Sequence, residues 1–112
     1  MENPKKQRLF ELVTGVVRLD KFEEFKRLHR DHLLPLFEKY NIKPSLLLFT
    51  EVGAIGRFYD IYEYKDMEDY DKKIQGFLSD PSTPSYYEAI QPCLIGSIET
   101  VLLRAFDYSP IQ

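Results

Sequence analysis

The sequence has no tryptophan, one cysteine and two histidines among its 112 residues. A single cysteine excludes an internal disulfide and leaves no cluster at metal-ligand spacing, so Cys93 is expected as a small buried apolar residue. No apolar run approaches the roughly 20 residues a membrane-spanning helix needs, and the charged lead Met1 to Arg8 runs into a strand-like segment instead of an apolar signal core. Charge of one sign is never concentrated: the net charge of -3 comes from interspersed residues, which leaves no basic stripe for phosphates and argues against nucleic acid as a partner. Gly53 and Gly56 bracket a hairpin and not a helix start, so no phosphate-cradling loop is present, nor is there a nucleophile elbow. The expectation is a soluble cytoplasmic protein with no membrane span, forming one domain over residues 1–112.

What the chain does have is aromatic and β-branched residues in strand-like runs. Arg57 to Tyr64 (RFYDIYEY) places Phe58, Asp60, Tyr62 and Tyr64 on one side and Arg57, Tyr59, Ile61 and Glu63 on the other, with large apolar groups on both. It is expected as a central strand. Leu9 to Val17 repeats this character with Glu11 on one face, Ser45 to Val52 predicts another strand, and Gly96 to Arg104 a fourth. Between the first two strands, Lys21 to Tyr40 carries the helical stripe Phe22, Phe25, Leu33, Leu36 and Tyr40, with His29 near its centre and His32 towards its edge. Asp20 with Glu23 reads as a capping box, and Pro35 predicts a kink or two helical pieces. Asp66 caps a second helix with Met67, Tyr70, Ile74, Phe77 and Leu78 at helical spacing, and Ser85 to Ile90 predicts a short third.

The order strand, helix, hairpin, helix, strand most economically builds a ferredoxin-like βαββαβ fold: a four-stranded antiparallel sheet in the order 4-1-3-2 with helices on one face. The other face is then apolar, and a second copy related by a two-fold axis is its simplest cover, giving a homodimer whose two sheets enclose a barrel.

Phe10-Glu11-Leu12, Phe25 with His32-Leu33-Leu34-Pro35-Leu36, Thr50-Glu51-Val52-Gly53, Tyr62-Glu63-Tyr64, Asp80-Pro81, Pro92-Cys93-Leu94 and Glu99 to Arg104 follow one another in an order that resembles the NIPSNAP family of the dimeric α+β barrel superfamily. The resemblance spans nearly the whole chain and implies the same fold and dimer. Similar proteins include many of unknown activity, others linked to organelle and vesicle biology, and related barrels that are cofactor-free cyclases, isomerases or monooxygenases. This chain has Val13 where the family pattern favours Arg, and Asp60 and Tyr62 where it favours His and Trp, so no role for that His carries over.

If the helix-covered face is the one with Phe10, Leu12, Ile61, Ile98 and Leu102, the opposite face carries Glu11, Glu51, Asp60 and Glu99 among apolar neighbours, lining the chamber between the sheets. Glu11 and Asp60 would sit on adjacent strands, where two carboxyls cannot both ionise cheaply and one could act as general acid or base. The plainer reading pairs each acid with Arg18, Arg57 or Arg104. His32, with Asp60 and Glu11, is a candidate acid-base residue. His29, Tyr59, Tyr62, Tyr64, Tyr86, Tyr87 and Glu99 are candidate pocket walls, the tyrosines offering apolar bodies with phenol tips. A facial triad of His29, His32 and Asp60 would need helix and strand to converge; no metal and no cofactor is expected. The reading is a small-molecule enzyme of isomerase, cyclase or lyase type. The alternatives are a non-catalytic ligand-binding or protein-interaction module and a cofactor-free monooxygenase.

Overall fold

A computed structural model describes residues 8–112; the lead Met1 to Gln7 lies outside the described residues. Strand β1 (Leu9–Val17) is followed by a short 3-10 turn, helix α1 (Phe22–Leu28), a π-helical turn (His29–Leu33) and helix α2 (Leu34–Lys39). Strands β2 (Lys43–Phe49) and β3 (Arg57–Tyr64) form the hairpin, then come α3 (Met67–Ser79), α4 (Thr83–Ile90) and the last strand β4 (Leu94–Arg104). The sheet order is β2-β3-β1-β4 with every neighbour antiparallel. This is the expected ferredoxin-like arrangement, with β1 and β3 at its centre.

The long helical segment does break near Pro35, and the break takes the form of a π-helical turn immediately before α2, in which Pro35 occupies the first turn. A proline there leaves one carbonyl of the preceding turn without its helical partner, and a widened turn absorbs that mismatch. The turn carries His29, so the irregularity sits where the helix meets the centre of the sheet. The start of α1 differs from expectation: Asp20 does not cap it but pairs with Arg18 at 3.1 Å, and a 3-10 turn leads in. Asp66 caps α3 as expected, accepting from the Asp69 amide at 2.8 Å. At the other end of α3, Asp80 is buried and accepts from Lys39 at 2.7 Å, from Tyr40, and from the Ser82 amide and hydroxyl. These bonds tie the end of α2 to the α3-α4 turn and hold the Asp80 carboxyl well below the ordinary carboxylate range.

On β1 and β3 the helices cover the face opposite to the one expected, whereas on β4 Ile98 and Leu102 lie on the helix side and Glu99 on the other, as expected. Leu9, Glu11 and Val17 of β1 and Phe58, Asp60, Tyr62 and Tyr64 of β3 are buried beneath them, and Phe22 of α1 touches Phe49 of β2 on that side. Because directly opposed residues in an antiparallel pair share a face, the register Glu11↔Leu102 and Val13↔Thr100 puts Leu102 and Thr100 with Glu11, while Thr14↔Glu99 puts Glu99 on the far side. Leu9, Val13, Val17, Phe58 and Tyr62, expected on the bare face, are therefore part of the helix-covered side. The reason is that both faces are apolar: alternation separates two sets without saying which is inside. The helix-free face instead carries Phe10, Leu12, Val16, Tyr59 and Ile61 at its centre, with exposed Leu46, Leu48, Val101 and Leu103 around them. β2 ends at Phe49, so Glu51 lies in the exposed hairpin loop.

Two glycines of the sheet region, Gly56 and Gly15, sit close against neighbouring atoms. Gly56 closes the hairpin at φ +94°, and a Cβ there would lie 2.8 Å from the Val17 carbonyl oxygen. Gly15 interrupts β1 at a bulge, where a Cβ would meet the Phe58 ring at 3.1 Å. A glycine is the residue that lets Phe58 lie flat across the strand.

Candidate functional site

Between the helices and the sheet lies a cavity of about 400 Å³. Its floor is Glu11 and Val13 of β1, Phe58, Asp60 and Tyr62 of β3, and Ile98 and Thr100 of β4. Its roof is built from residues four apart on the long helical segment, Phe25, His29, Leu33 and Phe37, and its side from Tyr70, Ile74, Phe77 and Leu78 of α3 with Tyr86 and Tyr87 of α4. The i, i+4 spacing stacks each set on one helix face, which is how a sequence with no pocket motif builds a wall.

Asp60 is 2% exposed and accepts two hydrogen bonds on Oδ2, from His29 Nε2 at 2.6 Å and from the Tyr62 hydroxyl at 3.0 Å. The His29 ring is itself held by stacking on Phe25, with centroids 5.2 Å apart. So the π-helical turn delivers an imidazole directly onto the buried carboxylate of the central strand. The second carboxyl, Glu11, is 6% exposed. It accepts from the Tyr64 hydroxyl at 2.8 Å. Burial pushes its carboxyl above the ordinary range, against the opposing pull of the Tyr64 and Tyr70 phenols. Among the described residues neither carboxyl pairs with arginine: Arg18 is on Asp20, and Arg57 donates to the Thr14 hydroxyl at 3.2 Å on the far side of the sheet. Burial also raises the phenols of Tyr62, Tyr64 and Tyr86, so all three stay protonated donors.

Glu11 and Asp60 stand on neighbouring strands, in register with Tyr62 and Val13 respectively. That is a diagonal relationship, which separates Cβ atoms by roughly 7 Å. The cavity thus offers two carboxyls in unlike settings, one bonded to an imidazole and one held only by phenols.

The NIPSNAP family pattern matches residues 10–110. The chain belongs to the NIPSNAP family. Solved structures similar to it include a NIPSNAP-like domain protein of Burkholderia xenovorans, with a TM-score of 0.82, 19% identity and coverage of 94% of this chain and 90% of that one. A NIPSNAP family protein of unknown function from Agrobacterium tumefaciens gives a TM-score of 0.84 at 16% identity over 100% of both chains. A protein from Nitrosomonas europaea assigned to the antibiotic biosynthesis monooxygenases gives 0.71 at 13% identity over 96% and 99%. At these identities the likeness shows the fold alone. No curated protein matches.

In this NIPSNAP domain the residues singled out from sequence separate into two groups. Asp60, Glu11, His29, Tyr62, Tyr86 and Tyr87 come together at the cavity. His32 does not: it is exposed, 3.3 Å from an Arg27 guanidinium nitrogen, in an outer groove with Ser82 and Ser85. Tyr59 and Glu99 are on the helix-free face, and Tyr64 is buried behind Glu11 without lining the cavity. The cavity that these residues line lies within one chain, between helix and sheet. Among the described residues no three His, Cys, Asp or Glu side chains converge on a point that could hold a metal ion; His29 and Asp60 meet, whereas His32 lies in the outer groove. Also among the described residues, no helix is long and apolar enough to cross a membrane. The cavity residues not read from sequence as its walls include Phe25, Leu33, Phe37, Phe58, Tyr70 and Thr100. A signal for Phe37 was present, since Phe25, His29, Leu33 and Phe37 recur every four residues.

Proposed function

We propose that this chain is a small-molecule enzyme that moves protons in the helix-sheet cavity, with Asp60 as base and Glu11 as acid, and that its chemistry is of the isomerase, cyclase or lyase type without a bound cofactor. The observation that carries this is the pairing of two buried carboxyls in one cavity in unlike settings, Asp60 bonded to His29 and Tyr62 and Glu11 bonded to Tyr64 and raised by burial. Such pairs divide into an acid and a base at neutral pH. Asp60, oriented by His29 and Tyr62, takes a proton from carbon next to a carbonyl. The electron pair moves to the carbonyl oxygen, which takes the proton Glu11 holds. The result is an enol, reached with no oxidant or reductant. His32, in the outer groove, has no part in this scheme.

Deuterium uptake into α-tetralone in D₂O tests the pair without knowledge of the natural substrate. Exchange catalysed by the wild-type protein, reduced by about 10²–10⁴-fold in Asp60→Asn and in Glu11→Gln with the fold retained by circular dichroism, supports the assignment. No exchange above buffer, or exchange indifferent to both changes, overturns it. Oxygen uptake with electron-rich phenols in place of exchange would favour the monooxygenase reading.

We also propose that the helix-free face joins two copies. Leu46, Leu48, Val101 and Leu103 are exposed on this face, and contiguous apolar surface on a soluble protein commonly marks an interface. Light scattering should report twice the 13.3 kDa chain mass, and Ile61→Lys should halve it; a wild-type monomer at micromolar concentration would dismiss the pairing. The cavity is built within each chain and does not depend on that contact.

A further inference from the structure

The cavity walls carry an unusual balance of charge. Its lining includes no lysine and no arginine. The only group in it able to carry positive charge is His29, and that ring is already bonded to Asp60. An anionic ligand would therefore enter beside two carboxyls with no counter-ion to meet it. The carboxyls are partly engaged by their own donors: Asp60 accepts from His29 and Tyr62, both on Oδ2, and Glu11 accepts from Tyr64 on Oε1. Among the described residues no fully buried side-chain oxygen or nitrogen lacks a hydrogen-bond partner. What remains is ring surface. Eight of the seventeen lining residues are Phe or Tyr, distributed over roof, side and floor.

We infer that the ligand of this cavity is an uncharged, flat ring compound bearing oxygen, such as a phenol, ketone or enone of about two or three fused rings. Carboxylic acids and phosphate esters are excluded. The inference deepens the proposed function and rests on the same cavity. The selection works by desolvation: an anionic group entering this chamber loses its water and finds no cation in exchange, while a neutral ring loses little and gains apolar contact. A hydroxyl or carbonyl on the ring is within the repertoire of the phenol donors and carboxyl acceptors on the floor. Ile98 and Thr100 supply the floor from the edge strand β4, where both are exposed, so this side of the cavity is its mouth.

Three probes that share one ring system and differ in charge test the inference: naphthol, naphthoic acid and naphthylmethylamine, titrated calorimetrically at pH 7 in moderate salt. Naphthol should bind at least about tenfold more tightly than naphthoate. A second arm uses Thr100→Lys, which places a cation at the mouth, across Val13 from Asp60. It should raise naphthoate affinity to within about threefold of naphthol. Naphthoate or the amine binding as tightly as naphthol, no ring binding at all, or an unchanged order in Thr100→Lys would each overturn the ligand class. Failure here is distinct from failure of the acid-base reading. Naphthol selectivity without deuterium exchange would keep the ligand and lose the catalysis, and exchange on a charged ketone with no neutral preference would do the reverse.

Discussion

Replacing Glu11 by Gln removes the ionisation and nothing else of size, and its consequence depends on pH in a direction the burial dictates. Glu11 is 6% exposed, and burial raises its carboxyl above the ordinary value of 4.5. Below 4.5 both the folded and the unfolded chain hold the proton, so the buried side chain is neutral, and a glutamine of the same shape keeps the Tyr64 bond. Stability of the two proteins should then agree within about 1 kcal/mol. As pH rises past 4.5 the unfolded chain releases its proton first while the folded chain retains it, so the folded state binds more protons and wild-type stability falls. For one proton the slope cannot exceed about 1.4 kcal/mol per pH unit. It ends where the native carboxyl ionises. The variant has no such group, so Glu11→Gln should gain on the wild type steadily from pH 4.5 upward and then hold a constant advantage. Other carboxylates, including Asp80, bias stability in the opposite sense but are common to both proteins and cancel in the difference. Urea unfolding of the pair at half-unit intervals from pH 4 to 8 reads this directly, and the pH at which the gap stops widening is the native Glu11 pKa. A gap independent of pH, or one that favours the wild type as pH rises, would refute the claim that Glu11 resists ionisation in the cavity, and with it the acid role.

The two histidines should separate cleanly in stability. His29→Ala strips Asp60 of its 2.6 Å partner and Phe25 of its stacked ring, which should cost about 2–4 kcal/mol in chemical denaturation; His32→Ala, at the exposed groove, should stay within about 0.5 kcal/mol. Equal effects would mean that the dyad contributes nothing beyond packing. Gly56→Ala should destabilise by about 1–3 kcal/mol, because its φ of +94° and the 2.8 Å approach of the Val17 carbonyl oppose any side chain there. A neutral result in thermal melts would show that the hairpin can rearrange.

Much of the architecture was readable from residue order alone. Alternation in Leu9–Val17 and Arg57–Tyr64, the Asp66 cap and the paired glycines of the hairpin each announce their element locally, and their succession leaves few ways to connect four strands. The π-helical turn was half legible: Pro35 marks the disturbance, but the widened turn forms before it, where His29 needs to reach the sheet. Asp20 misled because an Arg two residues earlier competes for its carboxylate. The site was legible as a set of residue types and not as a place. Asp60, Glu11, His29 and Tyr62 stand out as polar groups within apolar runs, whereas His32 falls one turn from His29 and differs from it only in which side of the helix faces the sheet.

By itself, then, the order of residues determined the elements, the strand order and the presence of acids on the central strands, since all of these follow from short-range periodicity and chain connection. Only the tertiary structure decided which side of the sheet the helices cover. With apolar groups on both faces, that choice rests on how the Phe25, His29, Leu33 and Phe37 stripe docks against Phe58, Asp60 and Tyr62, a match between side chains roughly 20 to 40 residues apart that no local pattern encodes. That docking put the carboxyls under the helices beside an imidazole, and so turned scattered acids into a chamber.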